Sequence, residues 1–217
     1  MGNFLIAVDG PAASGKGTIA TFLGKLYGYP VLDSGLLYRA VGHAVQEAGG
    51  NLDDAAQAGA AAAALNADQL ENPDLRTREA GELASRVAIH PEVRQALLAF
   101  QRAFAAREPG AVIDGRDIGT VIAPDAPAKL FVTASPEVRA QRRWLQLHAQ
   151  DAGVTLNEVL ADIRRRDERD STRAASPLTR ADDAVLLDTS EMTIDQAADA
   201  ARRMVEAARG RWEQSQG

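Results

Sequence analysis

Phe4-Leu5-Ile6-Ala7-Val8-Asp9-Gly10-Pro11-Ala12-Ala13-Ser14-Gly15-Lys16-Gly17-Thr18 is the stretch that decides the fold. Five apolar residues without alternation read as a strand buried on both faces, and Ile19, Phe22, Leu23 and Leu26 recur beyond it at helical spacing. Between them, Gly10, Pro11, Ala12, Ala13, Ser14 and Gly15 are small or conformationally special. A strand that turns through glycines into a helix aims backbone N–H groups, the positive end of the helix dipole and Lys16 at one point, which suits nucleotide phosphates. Glycines also make ordinary strand-to-helix turns. Here the flanking strand, the helix and one of only three lysines in the chain favour the anion site.

Working outward, Val31-Leu32, Ala111 to Ile113, Lys129 to Thr133 and Ala184 to Leu187 repeat the pattern of short apolar runs reached through helical segments. The expected fold is α/β, a doubly wound parallel sheet of five strands with ligands outside the strands' carboxyl ends, where Asp9, Asp33, Asp114 and Asp188 fall. Ser135-Pro136-Glu137 and Thr193 with Gln196 read as helix starts. The last helix places Ile194, Ala197, Ala198, Ala201, Val205 and Ala208 on one face. Two segments are expected to stand outside the sheet layers. Residues 34–108 form a mostly helical insert, with an alanine-rich helix at Ala55 to Ala64 and a break at His90-Pro91. Residues 142–175 form an arginine-rich lid, in which Leu156, Val159, Leu160 and Ile163 begin a seam that Arg166, Asp170 and Arg173 continue. The core is then 1–33, 109–141 and 176–217, within a single domain.

The chain has 217 residues, no cysteine and a net charge of −6. Disulfides, thiolate zinc sites and cysteine nucleophiles are excluded. His43, His90 and His148 are too scattered to suggest a metal. The acidic balance argues against a nucleic-acid coat protein, and the absence of a secretory pattern or long apolar run points to a cytoplasmic chain without a membrane partner. Arginine greatly outnumbers lysine, and Arg164, Arg165, Arg166, Arg169 and Arg173 crowd together. That pattern suits focused recognition of a small anion, although with Asp167, Glu168 and Asp170 interleaved it also suits a solvated helix.

The ordered motifs resemble those of the bacterial cytidylate kinases, P-loop kinases that move the γ-phosphoryl group of ATP to CMP or dCMP. The likeness spans nearly the whole chain. It rests on the loop from Gly10 to Thr18, whose Gly-Lys-Gly-Thr ending differs from the Lys-Ser/Thr of GTPases; on Leu32-Asp33-Ser34-Gly35 with Tyr38-Arg39; on Arg76-Thr77 and Ser85 to Arg94; on Asp114-Gly115-Arg116-Asp117 with Gly119-Thr120; and on Arg166 to Asp170 with Arg173. The resemblance implies a P-loop NTPase-type sheet whose insert binds the nucleoside monophosphate. It implies that Gly10 to Thr18 cradle ATP with Mg²⁺ bridging the phosphates, the metal having no direct protein ligand but Thr18 or Asp114 acting through water. Ser34, Arg39, Arg116 and Arg173 are implied to hold the acceptor phosphate. Arg142 and Arg166 match lid and cleft arginines, and Arg166 with Asp170 the pair that reads the sugar. Ser85, Arg94 and Asp117 match the positions that read cytosine. The implied catalytic set is Lys16, Arg116, Arg142, Arg166 and Arg173, in a monomer whose partners are small nucleotides.

Many members of that family carry a small extra sheet in the insert. Here only Asn66 to Leu75 lies between the helix ending near Leu65 and Arg76, too few residues for three strands. Competing readings are another small P-loop kinase acting on UMP, AMP or shikimate, and a non-catalytic nucleotide-binding, RNA-associated protein. No Asn-Lys-x-Asp guanine motif supports a GTPase.

Overall fold

The computed structural model describes residues 3–149 and 153–216. Strands β1 (Phe4–Asp9), β2 (Val31–Asp33), β3 (Gly110–Gly115), β4 (Ala128–Thr133) and β5 (Val185–Asp188) form one sheet of order β2-β3-β1-β4-β5. Every pairing is parallel, with Val8 opposite Asp114 on one side and Leu130 on the other. The helices are α1 (Lys16–Tyr27), α2 (Ser34–Glu47), α3 (Ala55–Ala63), α4 (Arg78–Val87), α5 (Pro91–Ala105), α6 (Pro136–His148), α7 (Leu156–Thr172) and α8 (Ile194–Ser215).

β1 is central and wholly buried, and its side chains alternate between two cores as strand geometry requires. Phe4, Ile6 and Val8 face α1 and α8, packing with Ile19, Leu23, Ala201 and Val205. Leu5 and Ala7 face the other way, packing with Leu37 and Val41 of α2 and Val93, Leu97 and Phe104 of α5. Because both faces are covered, the strand needs no polar side, which is why its sequence does not alternate.

That second core corrects one expectation. The segment 34–108 supplies a layer of the sheet, since α2 and α5 lie directly on it, and α3 and α4 pack outside them. A helix over a parallel sheet must bury its own apolar face somewhere, and the nearest surface is the sheet itself. Two short 3₁₀ turns, Ala67–Glu71 and Pro73–Arg76, occupy the stretch too short for three strands. α6 and α7 form a hairpin with a small core of Ala140, Leu147, Val159 and Ile163; residues 150–152 of the expected lid lie outside the described residues.

Helix starts follow the sequence signals. Ser135 caps α6 ahead of Pro136, and Thr193 with Gln196 closes a capping box on α8. Some apolar assignments fail: Ile194 is 72% exposed, and Leu26 and Leu156 are exposed as well. Ile194 and Leu156 are first residues of their helices, where a side chain projects beyond the packed turns.

Candidate functional site

β1 delivers Asp9 and then the glycine-rich loop. Gly10 (φ 151°), Ala13 (59°) and Gly15 (89°) take left-handed backbone conformations, a succession that turns N–H groups inward. A side chain at Gly10 is excluded outright, because its Cβ would lie 1.9 Å from the Val132 carbonyl oxygen. α1 starts at Lys16 with no side-chain cap and no acidic residue in its first turn, so its orphan N–H groups and dipole remain available to an anion. Ser14 Oγ is buried without a hydrogen-bond partner.

Two clefts meet here. One, about 690 Å³, runs between α4 and α7 and is lined by Lys16, Arg39, Arg116, Arg143, Arg165 and Arg166. The other, about 1060 Å³, is lined by Gly15 to Ile19, Arg142, Leu145, Thr189 and Met192 to Asp195. Each has the volume of a small-molecule site. Lys16 lines both. Burial pushes its ammonium well below the usual lysine range, with Arg116 adding to the effect and Asp114 and Asp33 opposing it. Burial correspondingly raises the Asp114 carboxyl, against the pull of Lys16. Asp33 and Asp114 are register partners at neighbouring strand ends.

Asp9 and Asp188, the other two strand-end carboxylates, have different tasks. Asp9 is buried and accepts the Ile118 and Gly119 N–H groups, both at 2.8 Å, fixing the single wide turn Ile118–Ile122; burial raises its pKa to about 6. Asp188 is exposed and accepts from Ser190 N–H and Oγ–H. It caps a loop and lines neither of the two clefts.

The first cleft is electropositive because Lys16 and six arginines line it against Glu79, Glu82 and Asp162, and behind it an arginine group shares one acid. Arg116 Nε donates to Asp170 Oδ2 at 3.0 Å. Arg166 Nε stands 3.9 Å from the same oxygen and Arg173 Nη1 4.0 Å from Asp170 Oδ1. Three guanidinium groups thus surround one buried carboxyl. Burial alone would raise its pKa, yet Arg116, Arg166 and Arg173 hold it below the ordinary carboxylate range. Burial, reinforced by Arg116, lowers Arg166 to about 10. Arg39 Nε, Arg166 Nε and Arg173 Nη2 are buried without hydrogen-bond partners. Buried donors left unmet are costly and rare; these three belong to residues the resemblance ties to an anion, while Arg169 Nε and Arg209 Nε are likewise buried without a partner and are not.

Beside the cleft, Arg94 of α5 forms a buried ion pair with Asp117, and its guanidinium lies 5.6 Å from the Tyr38 ring centroid. Arg173 Nη2 is 3.9 Å from Asp117 Oδ1, so Asp117 and Asp170 chain the two arginine groups together. Successive residues of the β3 exit make this split, Arg116 reaching Asp170 and Asp117 reaching Arg94. α7 carries Arg166 and Asp170 on the seam of Val159 and Ile163, as the spacing predicts. Arg173 is not helical; it is the residue that ends α7.

Three expected site residues stand apart. Arg142 does not join Arg166. It points from α6 into the second cleft, donating to Thr189 Oγ1 at 2.9 Å and Thr189 O at 2.7 Å. Ser34 donates its hydroxyl proton to the Asp114 carbonyl at 2.8 Å, which leaves it an acceptor. Ser85 is buried on α4 with its Oγ unpartnered, and it bonds to neither Arg94 nor Asp117. Gly17 and Thr18 are exposed at the start of α1.

Sequence reasoning missed Arg139 and Thr189. Arg139, with a side chain 4% exposed, donates to Ala134 O (2.8 Å), to Ala12 O in the glycine-rich loop (3.2 Å) and to both Asp167 oxygens (3.0 and 2.6 Å). It ties loop, β4 exit and α7 together, and nothing in the sequence separates it from the arginines around it. Thr189 follows the last strand directly, and the rule that ligands gather at strand carboxyl ends could have found it. Its Oγ1 donates to Ser14 O and Thr133 O, both at 3.1 Å.

The sequence profile described as Cytidylate kinase matches residues 6–207. The chain is 68% identical to the cytidylate kinase of Caulobacter sp. strain K31 over 209 residues, 96% of this chain and 97% of that one. It is 60% identical to the cytidylate kinase of Xanthobacter autotrophicus, covering 94% and 98%. Solved structures similar in fold include an uncharacterized protein from Eubacterium ventriosum (TM-score 0.56, 16% identity, 94% and 99% covered) and a gluconokinase from Sinorhizobium meliloti (TM-score 0.51, 17% identity, 98% and 97% covered).

Proposed function

The chain belongs to the cytidylate kinase family, and we propose that it transfers the γ-phosphoryl group of ATP to CMP or dCMP, giving ADP and the diphosphate. One observation carries the reading of the site: Lys16 stands where a cleft built on bare loop N–H groups meets a cleft built on Arg39, Arg116 and Arg166. A phosphoryl group moving between two anions needs in-line alignment, cover for charge on the moving group and exclusion of water. ATP occupies the second cleft, its phosphates on the loop from Gly10 to Thr18 and Arg142 flanking it through Thr189. The acceptor phosphate takes the unmet N–H groups of Arg39, Arg166 and Arg173. No strong base is required, since the attacking atom is an already ionised phosphate oxygen.

Mg²⁺ supplies charge neutralisation on the β and γ phosphates. Asp33 and Asp114, register partners at neighbouring strand ends, would be hard oxygen acceptors for the waters of a cation carried by the nucleotide. α6–α7 and the insert shield the reaction from water. They already touch across the cleft, where Arg78 Nε donates to Asp162 at 2.6 Å and Arg169 donates to both Glu82 oxygens at 2.6 Å.

The base is read by Arg94 and Asp117. Cytosine offers an amino donor at its 4-position where uracil offers a carbonyl, so a cytosine pocket needs an acceptor there, and Asp117 provides one. Ser85 Oγ is the second group able to accept. Release of ADP measured across a panel of monophosphates tests the assignment. CMP and dCMP should lead UMP, with AMP and GMP excluded by size, and Asp117→Asn should shrink the CMP:UMP ratio in kcat/KM. Faster turnover of UMP or AMP than of CMP refutes the base assignment. The 60–68% identities to cytidylate kinases give the UMP, AMP and shikimate readings no support.

A further inference from the structure

Past the end of α7 the chain makes a short strap, residues 173–178, to which the function above assigns only Arg173. Leu178 N–H donates to the Asp170 carbonyl at 2.7 Å, folding the strap back on the helix it has just left. At its turn, Ser176 has φ 51°, a left-handed conformation uncommon outside glycine and often held at functional sites. This conformation sends two acceptors of one residue to two arginines. Ser176 Oγ accepts from Arg94 Nε at 3.2 Å, and Ser176 O accepts from Arg173 Nε at 2.6 Å.

We infer that Ser176 is a positioning residue for base recognition, its hydroxyl fixing the plane of the Arg94 guanidinium while its carbonyl fixes Arg173. The inference rests on the reading of Arg94 and Asp117 as the base-reading pair. A guanidinium carries five N–H groups in one plane. In Arg94 each of the three nitrogens is held by a different group: Nε by Ser176 Oγ, Nη1 by Ala88 O at 3.4 Å, and Nη2 by Asp117. The Ala88 contact is long, so without the Ser176 hydroxyl the fork keeps Asp117 as its one short hydrogen-bonded anchor and can turn about it over the Tyr38 ring. A donor-only fork distinguishes bases only while its direction is fixed. Cytosine presents an acceptor at its 3-nitrogen and uracil presents N–H there, so a fork held in place favours the first and opposes the second. A fork free to turn loses the cytosine bond and escapes the uracil clash. Orientation, rather than charge, is what Ser176 adds.

Ser176→Ala removes the acceptor and keeps the strained φ, whereas Ser176→Gly removes the acceptor and relieves the strain. Ser176→Asn tolerates the left-handed conformation and restores an acceptor. Steady-state kcat and KM should be measured for CMP, UMP and ATP, with melting temperature recorded for each variant. Both the Ala and Gly variants should raise KM for CMP roughly three- to tenfold with kcat nearly unchanged. KM for UMP and ATP should stay within about twofold, and the CMP:UMP ratio should fall by the same three- to tenfold; Ser176→Asn should recover part of that loss. The Gly variant decides the matter if the Ala variant fails to fold. A CMP:UMP ratio unchanged in folded variants overturns the inference, as does a rise in KM for ATP equal to that for CMP, which would mean general loosening. Those results leave the kinase reading intact. A wild-type enzyme that does not prefer CMP to UMP overturns the base-reading assignment itself, and this inference with it.

Discussion

Arg139→Met should destabilise the protein and slow it together. The substitution keeps the length of the stem but removes a guanidinium that is almost wholly buried and bonded to Ala134 O, Ala12 O and both oxygens of Asp167. Removing one partner of a buried ion pair costs about 3–5 kcal/mol, because the other charge is left uncompensated. Asp167 is 28% exposed and can recover hydration, so the lower end applies, about 3 kcal/mol. For a chain of this length each kcal/mol shifts Tm by about 2–4 °C, so Tm should fall by about 6–12 °C. Arg139→Lys keeps the charge but not the fork, and should lose about half as much. The Ala12 carbonyl also loses its anchor, so the phosphate loop is held less firmly. KM for ATP should rise and kcat fall, by about tenfold together. Urea melts of Arg139→Met, Asp167→Asn and the double variant give the coupling directly, expected to be at least about 1.5 kcal/mol. A Tm within about 2 °C of wild type, or single effects that add to within about 0.5 kcal/mol, would refute the account of Arg139 as the tie between loop and α7.

Lys16→Ala should lower kcat by about 10²–10³ or more while leaving the urea midpoint near wild type, since the side chain makes no packing core; near-normal turnover refutes the phosphate-loop assignment. Arg166→Ala and Arg173→Ala should each reduce turnover far more than Arg164→Ala, whose side chain is 62% exposed and paired with the exposed Glu137; equal losses in all three, or losses that vanish at moderate salt, would mark the arginines as a solvated face. Asp9 predicts a pH dependence of stability. Its folded pKa of about 6 lies above its ordinary 3.8, so its favourable contribution is full below about pH 4 and is lost as pH rises through about 6, a change of about 3 kcal/mol. The unfolding free energy of Asp9→Asn minus that of wild type should therefore rise between pH 4 and 7, and a flat difference refutes the burial effect.

What the sequence determined by itself was everything that depends on neighbours along the chain. Five strands, the phosphate loop and the caps at Ser135 and Thr193 follow from local pattern, since strand burial, glycine conformation and helix capping are settled within a few residues. The seam on α7 was legible for the same reason, as helical spacing alone puts Arg166 and Asp170 beneath Ile163. The arginines proposed to meet the acceptor phosphate are singled out by ordered motifs and not by charge, which leaves a solvated helix equally open. Tertiary structure decided the rest. That α2 and α5 lie on the sheet, that Arg142 faces one cleft and Arg166 the other, that Ser34 is committed to Asp114 O, and that Arg139, Ser176 and Thr189 hold the site together all depend on residues tens of positions apart meeting in space. A buried hydrogen bond has direction and a reach of about 3 Å, and no periodicity in the chain encodes which distant carbonyl or carboxylate will stand there.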